Sequence, residues 1–309
     1  MARIGAGARV VTFLVADEIA LAVAANRPVV ALETSMIGQG LPHPRNLECI
    51  ERMAGAIRDA EALPAWTGVV DGIVRVGLDD HELRRFAESG EATKVARRDL
   101  AMAVATGVLG ATTVSATIWC ANRAGIAIGA TGGIGGVHPG ERPDVSADLL
   151  ELARTPVLLV SSGPKSIVDA AATAEKLEEL SVPLVGYGVD RLPFFLARET
   201  AVDLEHRVDT PTEAAALVRA QRSLGTQNAI LLCNPVPAAS AMDPDEVLAA
   251  IRRAETRMGA EGVEGKAVTP FLLSALAEET GGRSLEANLD LLEANARLAA
   301  EVAVALGRR

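Results

Sequence analysis

"PVLLVSSGPKSIVDAAATAEKLEELSVPLVGYG" spans Pro156 to Gly188, and its reading decides the fold. An apolar run stops abruptly at Ser161-Ser162-Gly163-Pro164. A long helical pattern follows Pro164, and "VPLVGYG" (Val182 to Gly188) then reads as a second strand. Strand, helix and strand in succession argue for a parallel crossover unit. Strands that are apolar at every position are covered on both faces of their sheet.

The same alternation extends outward. "PVVALE" (Pro28 to Glu33), "IAIGAT" (Ile126 to Thr131) and "NAILLCNPVP" (Asn228 to Pro237) read as strands. Helical patterns cover Ala16 to Pro28, Asn46 to Leu63 with Asn46 as N-cap, Asp79 to Ser89, Val145 to Thr155, Thr210 to Gly225, Pro244 to Gly262 and Ser284 to Leu306. "WTGVVDGIVRVGL" (Trp66 to Leu78) reads as a hairpin turning at Asp71-Gly72, so the sheet is mixed. Residues 101 to 121 are apolar-rich, but Gly107, Gly110, Thr112, Thr113 and Ser115 interrupt them. They read as two packed core segments and not as a membrane span. No internal repeat or long linker divides the chain. The expectation is one α/β domain over residues 1–309, a three-layer α/β/α sandwich around a mixed, mainly parallel sheet.

A net charge of −10 excludes a general nucleic-acid footprint, and 3% aromatic content excludes stacking platforms for bases. Cys49, Cys120 and Cys233 lie too far apart for a zinc motif or a disulfide framework. They read as buried thiols of a cytoplasmic protein. The N-terminus has no compact apolar region followed by a cleavage site.

Ligands of open α/β sheets bind beyond the carboxyl ends of strands. One strand ends at Glu33-Thr34-Ser35, and Glu33 is either a solvated strand end or a site carboxylate. Gly129 to Leu149, "GATGGIGGVHPGERPDVSADL", is glycine-rich enough for backbone N–H groups to approach an anion. Pro139, Gly140 and Pro143 delay the helix, which argues against a dinucleotide fingerprint. Asp144 and Ser146 are either simple helix caps or, with Asp148, an acidic metal site suited to Mg²⁺ or Mn²⁺. His138 is a lone histidine. Lys94, Arg97 and Arg98 form either a solvated basic turn or a phosphate site. Lys165 is either a surface residue or a reactive amine. As a reactive amine it sits between an apolar strand end and the N-terminus of the helix expected after Pro164, both of which favour the neutral amine that imine chemistry needs.

Taken together, these stretches resemble the pseudouridine-5′-phosphate glycosidases, also called the indigoidine synthase A-like family. The resemblance rests on "VVALETS…GQGLPHPRNLE", "TKVARRDL", "GATTVSAT", "ATGGIGGVH", "DVSADLLELA", "GPKSIVD", "LVGYG", "NPVP", "GVEGKAVTPFLL" and "TGGRSLEANLDLL", in family order over about residues 28 to 305. It implies reversible cleavage of the C–C glycosidic bond of pseudouridine 5′-phosphate to uracil and ribose 5-phosphate, a C-glycosidase/lyase reaction of the hydro-lyase class. It implies Lys165 as imine-forming nucleophile and Glu33 as catalytic carboxylate. It places Asp144 on a divalent metal, typically Mn²⁺, and Lys94, Val114, Ser146, Ala147 and Asp148 on the substrate. Thr131, His138 and Asn288 join them as pocket candidates. A homotrimer is implied, with no nucleic-acid or membrane partner.

The chain departs from the family pattern in places. "SSGPKS" stands where "AGAKS" or "AGVKS" is usual, and "GYGVDRLPFFLAR" where "GYQTDEFPAFY" is usual. These departures support one alternative within the fold: a natural-product enzyme that joins ribose 5-phosphate to an aromatic acceptor. A non-catalytic sugar-phosphate sensor is the alternative from another class. Retention of Lys165, Glu33 and Asp144 together argues against the sensor.

Overall fold

The computed structural model describes residues 11–140, 144–263 and 268–308. The chain begins β1 (Phe13–Val15), α1 (Asp17–Ala24), β2 (Val29–Leu32), α2 (Arg45–Asp59), β3 (Leu63–Val70), β4 (Ile73–Val76) and α3 (Asp80–Glu88). It continues β5 (Thr93–Val95), α4 (Leu100–Thr106), β6 (Gly110–Thr112), α5 (Val114–Arg123), β7 (Ile128–Ala130), α6 (Ala147–Leu152), β8 (Leu158–Ser161) and α7 (Ala170–Glu179). It closes β9 (Leu184–Tyr187), β10 (His206–Val208), α8 (Pro211–Leu224), β11 (Ile230–Cys233), α9 (Pro244–Glu261), α10 (Val268–Glu279) and α11 (Arg283–Gly307).

The main path of the sheet runs β1-β4-β3-β2-β7-β8-β11-β9-β10, and β6 joins β3 to β5. Among the described residues, every strand pairing is parallel except β3 with β4 and β3 with β6. The period-2 geometry of a strand sends alternate side chains to opposite faces. Val30, Leu32, Leu158, Val160, Ile230 and Leu232 enter one core with α2, α8 and α11. Val29, Ala31, Leu159, Leu231 and Cys233 enter a second core with α1, α5, α6 and α7. Helices therefore cover both faces, as the apolar strands predict. No helix among the described residues is long and apolar enough to cross a membrane; residues 101 to 121 fold into α4, β6 and α5.

The register of β3 shapes the site. Its first half pairs with β2, ending at Leu32 opposite Trp66. Its second half extends past β2 and carries β4 and β6 antiparallel, with Gly68 opposite Ala111. Thr112, the end of β6, therefore arrives level with Thr67, just beyond the end of β2. The start of α5 is delivered to the same sheet edge as Glu33. The turn that reverses β3 into β4 is at Asp71 (φ 51°) and Gly72 (φ 77°), as the sequence predicts.

Two expectations fail. Asn46 does not cap α2; it is buried and donates to the carbonyls of Ile37 (3.1 Å) and Ala87 (2.9 Å), tying α2 to its neighbours. The helix expected just after Pro164 starts at Ala170, capped by Asp169, whose side chain accepts from Ala172 N–H at 2.9 Å. Lys165 thus lies in a loop ahead of α7, and the helix-terminus rationale for its reactivity does not hold. Pro143 and the Glu264 to Ala267 part of "GVEGKAVTPFLL" lie outside the described residues.

Candidate active site

Glu33 follows the last residue of β2, Thr131 the last residue of β7, and Lys165 lies four residues past β8. These three strands are adjacent and parallel, so their carboxyl ends open on one edge. A cavity of about 400 Å³ lies there, within the size range of small-molecule sites. Eleven of the residues singled out from the sequence line it: Glu33, Lys94, Val114, Thr131, His138, Asp144, Ser146, Ala147, Asp148, Lys165 and Asn288.

The floor of the cavity is built on strand ends. Glu33 is only 3% exposed. One carboxylate oxygen accepts from the Thr131 hydroxyl, the other from Ser35 Oγ at 2.5 Å. Burying a carboxylate is costly unless its oxygens are satisfied, and these two hydroxyls satisfy them. Beneath lies a knot of buried threonines. Thr34 Oγ1 donates to Thr67 O (2.7 Å), Thr67 Oγ1 to Leu32 O (3.1 Å), and Thr112 Oγ1 to Thr67 O (2.8 Å). Thr117 of α5 contacts both Thr67 and Thr112 through its hydroxyl. The knot locks β2, β3, β6 and α5 at the level of Glu33.

The Lys165 loop is held from outside. Lys165 N–H donates to Ile134 O (3.0 Å), Ile134 N–H to Gly163 O (3.1 Å), and Phe195 N–H to Ser162 O (2.9 Å). Asn295 of α11, fully buried, donates to Thr131 O at 2.9 Å and accepts from Asn234 Nδ2 at 3.0 Å. It joins the ends of β7 and β11, and it also contacts Ser162 just past β8. The sequence reading missed Asn295 and Phe195. The one available signal was an asparagine inside the apolar face of a long helix.

The wall opposite the floor is made of loops. His138 N–H donates to Asp144 O at 2.9 Å. Burial holds the His138 imidazole below its ordinary range. Lys94 and Lys165 act in the same direction, while Asp144 opposes them, so both lysines and Asp144 act electrostatically on one ring. Ser146, not Asp144, caps α6, accepting from Asp148 N–H at 3.2 Å. Asp148 is buried and accepts from the N–H groups of Ser115 (2.9 Å) and Gly135 (3.0 Å), bracing the wall against α5. A Cβ at Gly135 would overlap the Ser146 side chain, so this glycine admits a neighbouring side chain rather than an anion.

The basic cluster divides. Lys94 and Arg98 line the cavity. Arg97 turns away to pair with the buried Glu151, with contacts of 2.8 and 3.0 Å. The three cysteines are buried and free, and burial pushes each thiol up to about 12, so they are inert as nucleophiles near neutrality.

The fold and cavity define an α/β protein with a space of small-molecule size at the carboxyl edge of a mainly parallel sheet, lined by the buried Glu33 carboxylate and by Lys94, Arg98 and Lys165. The chain belongs to the indigoidine synthase A-like family, whose description "Indigoidine synthase A like protein" matches residues 18–305. It is 48% identical over 293 residues to a pseudouridine-5′-phosphate glycosidase of Methylobacterium nodulans, covering 94% of this chain and 87% of the relative. It is also 48% identical over 287 residues to one of Symbiobacterium thermophilum, covering 91% and 93%. Among solved structures it is similar to the prealnumycin C-glycosynthase AlnA in complex with ribulose 5-phosphate (TM-score 0.88, 41% identity, covering 96% of this chain and 97% of that one). An indigoidine synthase A-like protein from Thermotoga maritima superposes with a TM-score of 0.89 at 38% identity, covering 99% and 100%.

Proposed function

We propose that this chain is a C-glycosidase that reversibly cleaves pseudouridine 5′-phosphate to uracil and ribose 5-phosphate. The observation that carries the reading is the meeting of Glu33 and Lys165 in one cavity, in a chain nearly half identical to relatives of that name.

A C–C glycosidic bond has no leaving oxygen to protonate, so the protein must provide a path for the bonding electrons. Once the ribose ring is open, the Lys165 amine bonds to C1′. Its lone pair then forms C=N while the electrons of the C–C bond pass to the uracil ring. Glu33 assists ring opening and delivers the proton that the departing base carbon takes up. Water hydrolyses the imine, releasing ribose 5-phosphate and restoring the amine. Lys94 and Arg98 hold the phosphate.

Asp144 is the residue that would hold a divalent metal. Among the described residues no group of three or more His, Cys, Asp or Glu side chains forms a protein cage. A hard cation that keeps several waters and takes one or two carboxylates, as Mg²⁺ does and as we assign to Mn²⁺ here, fits that donor set. When bound, such an ion adds positive charge beside the sugar phosphate. We carry over homotrimeric assembly and a reducing, cytoplasmic setting as parts of the same reading.

The reverse direction, joining ribose 5-phosphate to an aromatic carbon, uses the same groups and is favoured as second reading by the likeness to AlnA. A sugar-phosphate sensor needs no imine. Borohydride added with ribose 5-phosphate is expected to fix the reduced sugar phosphate on Lys165, read by peptide mass mapping. Lys165→Ala is expected to abolish both labelling and pseudouridine 5′-phosphate cleavage. Label on Lys94, or label persisting in Lys165→Ala, overturns the assignment.

A further inference from the structure

Asn295 is fully buried on α11, where Leu291, Leu292, Leu298 and Ala299 form the buried apolar face around it. Its amide meets the ends of three neighbouring parallel strands, β7, β8 and β11. Nδ2 has two protons and three acceptors within reach: Thr131 O at 2.9 Å, Ser162 Oγ at 3.1 Å and Gly132 O at 3.3 Å. Oδ1 accepts from Asn234 Nδ2 at 3.0 Å. Backbone carbonyls only accept, so the amide nitrogen must face Thr131 and Gly132, and the orientation of the group is fixed. The asparagine that opens "NPVP" (Asn234 to Pro237) thereby enters the frame of the site.

An amide buried in an apolar helix face is unfavourable unless it is bonded, and a leucine would continue that face without the cost. What the asparagine adds is a unique position for the groups it bonds. The backbone ladder already runs one step past the strands. Thr131 N–H donates to Val160 O (3.0 Å), Ser162 N–H to Gly132 O (2.8 Å) and Asn234 N–H to Ser161 O (2.8 Å). Those bonds lie within the sheet. Asn295 comes from a helix packed on the face of the sheet and fixes the same ends across it. Thr131 carries the hydroxyl that donates to Glu33. Ser162 precedes Lys165 by three residues, across the turn at Gly163 (φ 80°). One side chain therefore touches both arms of the pair to which the chemistry is assigned. Asn295 and Asn234 themselves do not line the cavity.

We infer that Asn295, oriented by Asn234, is a positioning residue that holds Glu33 and Lys165 in register for bond cleavage and takes no part in holding the substrate. The inference rests on the reaction proposed above and assigns a residue to the geometry of the same site. A misplacement of about 1 Å at a reacting centre costs about 10²-fold in rate, so loosening this join falls on kcat and not on KM.

The test compares the wild type with two variants. Asn295→Leu keeps the branched shape and removes every bond of the amide. Asn234→Ala removes the bond that orients it, from a half-buried position. Cleavage of pseudouridine 5′-phosphate is measured at steady state, and borohydride trapping of ribose 5-phosphate on Lys165 in a single turnover. Asn295→Leu is expected to lower kcat by about 10–10²-fold and to slow trapping, with KM within about threefold. Asn234→Ala is expected to show the same pattern at about fivefold or more. A folded Asn295→Leu whose kcat stays within about twofold of the wild type overturns the inference. So does a KM that rises in step with the fall in kcat, the mark of general loosening. If Asn295→Leu does not fold, Asn234→Ala decides by the same two criteria. If the wild type does not cleave pseudouridine 5′-phosphate, the reaction assignment has failed, and the positioning is scored on the amine alone. Methylation by formaldehyde and borohydride is then read by mass mapping at Lys165 relative to Lys176 of α7. A ratio that differs between wild type and variants supports the positioning, and an unchanged ratio overturns it.

Discussion

The floor and the wall of the cavity are built differently. The floor stands on the ends of β2, β7 and β8, with Glu33 buried, both its oxygens occupied, and a threonine knot fixing the strands beneath it. The wall is carried by looser segments: His138 is half-buried and Asp144 is exposed. Groups that make and break carbon bonds need fixed geometry, which rigid elements supply. The metal proposed at Asp144 would ask less of its frame, because a hydrated ion would keep several waters.

The largest effect expected of this contrast falls on the floor. Glu33→Gln keeps the shape and removes the titratable proton. It is expected to lower turnover by roughly 10²–10⁴-fold while the unfolding midpoint stays near that of the wild type. A loss of only a few-fold in steady-state rate would remove Glu33 from the chemistry.

Next, Thr67→Val deletes the hydroxyl at the centre of the knot and is expected to destabilise the protein by about 1–3 kcal/mol, because Thr117 and Thr112 lose a buried partner. Denaturant unfolding measures this, and an unchanged midpoint would show that the floor is not locked there.

The smallest structural effect belongs to the wall. Asp144→Ala is expected to weaken Mn²⁺ binding by about tenfold or more in calorimetry, on the scale of perturbed metal sites, with no loss of stability. Equal Mn²⁺ affinity in both proteins would move the metal elsewhere.

The same contrast marks what the sequence makes legible. The Asp71-Gly72 turn and the Asp79–Glu82 capping box of α3 are local, and both are visible as short motifs. The apolar strands and their polar ends place Glu33, Thr131 and Lys165 on one sheet edge without any long-range information. Asn46 misleads because its partners, Ile37 and Ala87, lie nine and 41 positions away, and nothing beside it announces them. The segment after Pro164 misleads in the same way: bridges from Ile134 to Pro164 and from Val137 to Asp169 pin its two ends, and a turn closed by Val168 N–H on Lys165 O fills the space between, where its own residues suit a helix. The three-residue strands β5 and β6 are too short to show a period. For Lys94, Ser146 and Asp148 the local residue types left a structural and a functional reading open, and for Val114, Ala147 and Asn288 the family resemblance alone pointed to the cavity.

Gly163 has a φ of +80°, and a Cβ there would overlap the carbonyl oxygen of Pro193. The neighbouring Phe195 N–H and Ser166 hydroxyl complete the join, bonding to Ser162 O (2.9 Å) and Phe194 O (3.0 Å) respectively. The stretches "SSGPKS" and "VDRLPFFLAR" are therefore one interchangeable cassette, although some two dozen residues and a helix lie between them in the chain. A designer who transplants either stretch from a relative must carry the other with it. The lysine loop and the Phe195 side of the cavity share this seam, so they are exchanged together or not at all.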